Sequence, residues 1–252
     1  MAKIVVFDSG LGSLSIIKEI QKIVKADIVY FADQKNYPYG KKSQAQLNRI
    51  MEKTINLLEE KFMPDIIVVA SNTPSLMLNL ERKKIVGVKP PLKLAQKKSK
   101  SKKIAILATK SAINSKGLEN YINKNNIPKS YKIFKINGTN LVDLVESGKF
   151  LNKKNYCKKV IKENLENYII KEKIDTITLS STHLVFLKTL LKKEFPKVQF
   201  IDPGNLVATK ILLKIKNKQS KRNSLKIFTS GNVTDFKNKL NKIGINNKIN
   251  YL

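Results

Sequence analysis

Short runs of β-branched and aromatic residues alternate with longer amphipathic stretches along almost the whole chain. The runs are KIVVFDSG, DIVYFAD, DIIVVAS, KIVGV, KIAILAT, YKIFKING, TITLSST, VQFID and LKIFTSG. Most carry no polar alternation, which is the pattern of a strand covered on both faces in a parallel sheet. Between the runs, apolar positions return every three or four residues. Leu47, Met51, Ile55, Leu58 and Phe62 form one stripe across residues 44–62, and Tyr156, Val160, Leu165 and Ile169 form another across 153–171. Strand and helix alternating in this way predict the α/β class, with doubly wound, mainly parallel sheets.

Two breaks divide the series. The lysine and serine run at 97–103, inside KPPLKLAQKKSKSKKIAIL, reads as an exposed connection, and a fresh strand-helix series starts at Lys103. A second basic stretch, KIKNKQSKRNS at 214–224, reads as a surface connection ahead of the last predicted strand. The expected division is one α/β domain of residues 1–96 plus 207–252 and a second of residues 97–206. An internal echo makes the two pseudo-symmetric. VVASNT at 68–73 and TLSSTH at 178–183 are both strand-to-turn junctions, with Ser71 and Ser181 at matching places.

In open parallel sheets, ligands bind beyond the carboxyl ends of the strands. The strands here release small polar residues at those ends: Asp8, Ser9 and Gly10; Ser71, Asn72 and Thr73; Thr109; Ser181, Thr182 and His183; Thr229, Ser230 and Gly231. Helix capping accounts for any one of these. All five together point to a ligand site in a cleft between two domains, reached from both sides.

Composition narrows the function classes. The formal charge is +30, carried by 46 lysines and only three arginines, Arg49, Arg82 and Arg222, spread along the whole chain. Phosphate and base recognition favour the arginine fork, so the charge reads as a solvated surface and nucleic acid is not the expected partner. A single cysteine, Cys157, fits a reducing compartment, and the expected location is the cytoplasm. No apolar stretch approaches the ~20 residues of a membrane span. No Walker-type loop or zinc-ligand spacing is present, and neither a metal nor a cofactor is expected.

At this point the motifs resemble those of the glutamate racemases, within the wider aspartate/glutamate racemase group. VFDSGLGSLSIIKEI is similar to the family's opening motif and YFADQKNYPYGKKS to its second and most specific. VVASNTPS resembles the strand carrying the first catalytic residue, and LSSTHLVFL the segment carrying the second. GTNLVDLVESG, IDPG and FTSGNVTDF complete the order. The resemblance implies a cofactor-independent isomerase that interconverts L- and D-glutamate, or binds a similar acidic amino acid such as aspartate. Two cysteines, one per domain, would flank the α-carbon. It also implies a role in peptidoglycan precursor synthesis for the cell wall, and a homodimer.

By the same resemblance, Ser71 and Ser181 occupy the positions of the paired cysteines, with Asp8 and His183 assisting proton transfer on either side. Ser9, Asn72, Thr73, Thr109 and Thr182, with the backbone of Tyr39 and Gly40, match positions that bind the substrate's amino and carboxylate groups. Glu146 matches an acidic residue near the site, and its alternative is a solvated helix carboxylate. Asp8 as a helix cap and His183 as a satisfied, partly buried imidazole are the corresponding alternatives. Ser180 stands where the family usually has glycine and Pro74 where it usually has alanine, which favours natural divergence of the two serines over deliberate substitution. Hydroxyls are much weaker acids than thiols, so the family's route is the point of departure. An amino-acid-binding homologue without turnover, acting as a sensor, is the competing expectation.

Overall fold

The computed structural model describes residues 2–78, 80, 82–215, 218 and 220–252. The chain opens with β1 (Lys3–Asp8), α1 (Ser13–Ile23), β2 (Asp27–Ala32), α2 (Gln44–Phe62), β3 (Ile66–Val69), α3 (Asn72–Met77) and β4 (Ile85–Gly87). It continues through α4 (Leu92–Lys98), β5 (Lys103–Ala108), α5 (Lys110–Ile113), α6 (Lys116–Lys124), β6 (Lys132–Asn137), α7 (Thr139–Glu146) and α8 (Lys149–Asn152). After these come α9 (Lys154–Glu172), β7 (Thr176–Leu179), α10 (Lys188–Glu194) and β8 (Gln199–Ile201). The last elements are α11 (Gly204–Ile215), β9 (Ser224–Thr229), α12 (Val233–Asn241) and β10 (Ile249–Tyr251).

The chain divides into two compact units, residues 1–88 with 204–252, and residues 89–203. The first holds a parallel six-stranded sheet in the order β10-β9-β2-β1-β3-β4; the second holds a parallel four-stranded sheet in the order β6-β5-β7-β8. This is the doubly wound α/β architecture expected from the buried runs. The three-residue β10 was not expected: Ile249–Tyr251 lies in a polar stretch and carries too few apolar positions to stand out.

The order β2-β1-β3-β4 is repeated as β6-β5-β7-β8, and the repeat extends to single hydrogen bonds. The Ala70 amide donates to the Phe7 carbonyl at 2.8 Å, and the Ser180 amide donates to the Leu107 carbonyl at 2.8 Å. The Asp33 amide reaches the Asp8 carbonyl at 2.8 Å, and the Gly138 amide reaches the Ala108 carbonyl at 2.7 Å. Each sheet also opens its third strand in the same way. Asp65 accepts the Lys3 amide at 3.0 Å, and Asp175 accepts the Ser99 hydroxyl at 2.6 Å and the Lys100 and Ser101 amides at 2.7 Å each.

That last set of bonds revises the expected seam. The 97–103 run is exposed, as expected, except at buried Ser99 and half-buried Lys103, but it is tied down: α4 reaches into it and Asp175 gathers its turn into the second unit. The division between units lies instead at Val88 and Lys89 and again at Pro203 and Gly204. In the 214–224 stretch, α11 runs to Ile215, residues 216, 217 and 219 lie outside the described residues, and the Ser220 amide donates to the Lys25 carbonyl at 2.7 Å.

The helices follow from their stripes. Ser43 and Gln46 form a reciprocal capping box at the start of α2, which then buries Leu47, Met51, Ile55 and Leu58 on β1, β2 and β3 residues such as Val5 and Phe31. A cap of this kind contributes ~1 kcal/mol. In α9 the stripe is rotated from the expected one. Cys157, Val160, Ile161 and Leu165 are buried, whereas Tyr156 is half exposed beneath the Lys149 ammonium. A small apolar thiol can press closer to the sheet than a tyrosine whose hydroxyl needs water, so the helix turns Cys157 inward.

Candidate functional site

Among the candidate strand ends, capping explains Thr109, whose hydroxyl accepts the Ala112 amide at 3.4 Å to start α5. It does not explain Asp8, because the cap position of α1 is Gly12 and no side chain caps that helix. Ser71 and Ser181 both occupy cap positions, and neither side chain caps. After β9, the cap of α12 is Asn232, not Thr229 or Ser230. Helix capping therefore does not account for the side chains of Asp8, Ser71, Ser181, Thr229 or Ser230.

In the first unit, the carboxyl ends of β1, β2, β3 and β9 bring together most of the predicted residues of that unit. Asp8 is buried and its Oδ1 accepts the Ser9 amide at 2.6 Å. The Tyr30 hydroxyl donates to the Gly10 carbonyl at 2.6 Å and fixes the turn that follows. The turn Tyr39–Lys41 packs on α3, the helix that opens with Asn72 and Thr73. Ser71 leaves β3 with φ −137° and ψ 128°, and its carbonyl accepts the Ser75 hydroxyl at 2.7 Å. The Ser75 hydroxyl also accepts the Val88 amide at 3.1 Å.

Asn72 is 3% exposed, and among the described residues neither its side-chain nitrogen nor its side-chain oxygen has a hydrogen-bond partner. A buried carboxamide left unpaired costs ~1–3 kcal/mol, so this position is poorly explained by folding alone. A ligand with both an acceptor and a donor would satisfy it.

Sequence reasoning passed over Asp33, although it closes the DIVYFAD run. Its buried carboxylate accepts the Tyr39 hydroxyl at 2.8 Å, the Asn36 amide at 2.9 Å on both oxygens, and the Ser230 hydroxyl at 3.1 Å. Burial first, and then the Asp33 and Asp8 carboxylates, hold the Tyr39 phenol well above its usual range, so it stays a donor.

In the second unit, Ser181 leaves β7 with φ −142° and ψ 133°, nearly the same backbone as Ser71, and opens the turn Thr182–Leu187. Thr182 and His183 are buried in that turn, which packs on α7. His183 Nε2 lies 2.6 Å from Glu146 Oε1. Glu146 is thus not the solvated helix carboxylate allowed by its place at the end of α7; it is 8% exposed and engaged by the imidazole. With an ionised Glu146, which can only accept, this contact places the imidazole proton on Nε2. The Ser180 hydroxyl is 2.9 Å from that of Thr178, which holds it inside the sheet edge, apart from the Ser181 position.

Among the described residues, no three His, Cys, Asp or Glu side chains are gathered as they would be to hold a metal ion. No helix of the described residues is long and apolar enough to cross a membrane.

No protein-family model matches this chain. The glutamate racemase of Buchnera aphidicola subsp. Schizaphis graminum (strain Sg) is 33% identical over 228 residues, covering 87% of this chain and 88% of that protein. The glutamate racemase of Leptospira borgpetersenii serovar Hardjo-bovis (strain JB197) is 30% identical over 231 residues, covering 88% and 86%. Among solved structures, a glutamate racemase isoform of Bacillus anthracis superposes with a TM-score of 0.87 at 25% identity, covering 100% of this chain and 97% of that one. The glutamate racemase of Aquifex pyrophilus superposes with a TM-score of 0.74 at 27% identity, covering 99% and 98%.

Proposed function

Because the chain belongs to the glutamate racemase family, we propose that it binds L- and D-glutamate and exchanges the α-proton far more slowly than a thiol enzyme does. The observation carrying this reading is the pair Ser71 and Ser181. They have closely similar backbone angles, follow the third strand of matching four-strand sets, and bear hydroxyls where the family resemblance calls for thiols.

Inverting a stereocentre through a planar carbanion needs one group to take the proton and another to return one on the opposite face. In this reading Ser71 and Ser181 are those groups. Asp8 serves the first, and His183, oriented through Nε2 by Glu146, serves the second. In one direction the Ser71 hydroxyl would pass its proton to Asp8 and take the α-hydrogen as the alkoxide, while the Ser181 hydroxyl gives its proton to the carbanion and the alkoxide left there regains one from water.

The difficulty is the acid strength of the hydroxyl. A thiol ionises near ~8.5 and an aliphatic hydroxyl far above that, so forming the alkoxide costs much more than forming the thiolate. Asp8 and His183 would have to offset that cost for turnover at a thiol-like rate. The binding groups face no such cost: Ser9, Asn72, Thr73, Thr109 and Thr182, with the backbone of Tyr39 and Gly40, are neutral hydrogen-bonding groups suited to an amino acid's ammonium and carboxylates. The unpaired Asn72 carboxamide supports a bound polar ligand. Binding without turnover, with occupancy as the signal, is the second reading, and the same two serines favour it.

Calorimetry with each enantiomer tests binding; no heat and no thermal stabilisation at millimolar glutamate would overturn it. Proton NMR of glutamate in deuterated water tests exchange. Loss of the α-proton signal at an enzymatic rate would show that the hydroxyls suffice.

A further inference from the structure

We propose that Asp33 is a positioning residue for ligand binding, clamped by Ser230 and acting through the Tyr39 hydroxyl to set the Tyr39–Gly40 segment. This rests on the reading above, in which the backbone of Tyr39 and Gly40 meets the amino acid.

The Asp33 carboxylate is 2% exposed, and among the described residues no lysine or arginine lies within ion-pair distance of it. A buried carboxylate without a counter-cation is costly, and in a chain with 46 lysines a partner would be easy to supply. Its stabilisation comes from neutral donors alone. Oδ2 takes the Tyr39 hydroxyl at 2.8 Å, Oδ1 takes the Ser230 hydroxyl at 3.1 Å, and the Asn36 amide lies 2.9 Å from both oxygens. These donors come from three segments of the first unit: the loop after β2, the turn Tyr39–Lys41 and the end of β9.

The ring is closed further at β9. The Ser230 hydroxyl accepts the Lys35 amide at 3.1 Å, and the Thr229 hydroxyl lies 3.0 Å from Gln34 Oε1. A methyl group on Gly231 would come within 2.5 Å of Gln34 Oε1 and 2.8 Å of its Cβ, so the loop is seated closely on the strand end. Residues 33–36 are therefore fixed from the C-terminal part of the chain.

Tyr39 itself is 2% exposed and belongs to the buried apolar cluster that also holds Val5, Phe7, Val69 and Met51. With the ring in the core and the hydroxyl held by Asp33, the side chain is an anchor and cannot be the ligand contact. The part of the residue left to meet a ligand is its backbone, whose position two hydrogen bonds in series, from Ser230 to Asp33 and from Tyr39 to Asp33, determine. The carboxylate thus spends its hydrogen-bonding capacity on geometry, and an uncharged acceptor at the same place would serve in part.

Glutamate affinity and the urea midpoint of the whole chain are measured together for the wild type, Asp33→Ala, Asp33→Asn, Tyr39→Phe, and Asp33→Ala with Tyr39→Phe. Asp33→Ala is expected to weaken binding roughly five- to twenty-fold, the scale of one or two hydrogen bonds. Asp33→Asn, which keeps an acceptor for the Tyr39 hydroxyl, is expected to recover most of the loss, and the double variant is expected to bind no more weakly than Asp33→Ala. Unchanged affinity in Asp33→Ala, or additive losses in the double variant, would overturn the positioning role while leaving the binding reading intact. A wild-type chain that does not bind glutamate would overturn that reading and this proposal with it. If Asp33→Ala does not fold, Tyr39→Phe decides the matter alone, since it removes only the hydroxyl; unchanged affinity there overturns the proposal.

Discussion

His183 Nε2 and Glu146 Oε1 meet at 2.6 Å with both side chains only 8% exposed, joining the end of α7 to the turn after β7 through one shielded hydrogen bond. His183 is the only histidine in the chain, so its imidazole gives a single assignable set of nitrogen signals. Nitrogen-15 NMR at neutral pH is expected to show the proton on Nε2. Glu146→Ala leaves that donor buried without its acceptor and is expected to cost ~1–3 kcal/mol in urea unfolding. Glu146→Gln, which keeps an acceptor oxygen, is expected to cost less.

Asn72 leads to a trade between stability and binding. Its carboxamide is buried and unpaired, so Asn72→Leu removes a desolvated polar group and is expected to raise stability by ~1 kcal/mol or more. The same change is expected to abolish glutamate binding. Thermal unfolding and calorimetry on one sample check both; a variant that is less stable than the wild type would contradict the first.

Restoring both thiols is the sharpest test of the two serines. Ser71→Cys with Ser181→Cys is expected to increase deuterium incorporation at the glutamate α-carbon by at least ~100-fold, the lower end of what one well-placed acid-base group contributes. Each single variant is expected to gain little in racemisation, followed by optical rotation, because inversion needs a proton group on each face. A double variant as slow as the parent would mean that the surrounding pocket no longer serves this chemistry.

Asp175 gives stability a pH dependence of known sign. Burial tends to raise its carboxyl, but hydrogen bonds from Ser99, Ser101, Thr176 and Lys100 more than offset this and hold it below the usual carboxylate value. A lowered folded-state value means the contribution is fully present above the unfolded value of ~3.9 and is lost as the pH falls through the folded one. Asp175→Asn is therefore expected to lower the urea midpoint at pH 6–7, with the difference from the wild type shrinking below about pH 4. A difference that stays constant down to acid would exclude this origin.

Gly87→Ala tests how closely β4 sits on α3. The new methyl would lie 2.9 Å from Ser75 Oγ and 3.1 Å from Ser75 Cβ. Ser75 cannot swing aside cheaply, because its hydroxyl bridges the Ser71 carbonyl and the Val88 amide. A loss of ~1–3 kcal/mol in urea unfolding is expected.

Much of this architecture is legible in the residues. Each of the nine runs forms a strand, and most are buried from the strand's second residue on, as continuous apolar character in a parallel sheet requires, whereas YKIFKING and LKIFTSG are only partly buried. The echo of VVASNT and TLSSTH marks a repeat that extends to the hydrogen bonds of Ala70 and Ser180. What local pattern could not give was pairing through space. Glu146 and His183 are 37 positions apart, and a carboxylate at a helix end looks solvated until the turn that covers it is known. Asp33 and Ser230 are 197 apart, so nothing near DIVYFAD shows that its last residue is clamped. The α9 stripe departs from its periodic pattern for a related reason: Tyr156 and Cys157 are adjacent, and which one turns inward depends on the sheet behind them.

The order of the first sheet has a consequence for synthesis on the ribosome. The outer edge of β2 is covered by β9, yet residues 89–223 must be made between the completion of β4 and the start of β9 at Ser224. At ordinary elongation rates that interval is on the order of ten seconds. Throughout it, the nascent first unit presents the backbone of DIVYFA as an open strand edge, a template for pairing with another chain. The intervening unit is contiguous in sequence and can close its own sheet meanwhile, so the segment begun first is the one completed last.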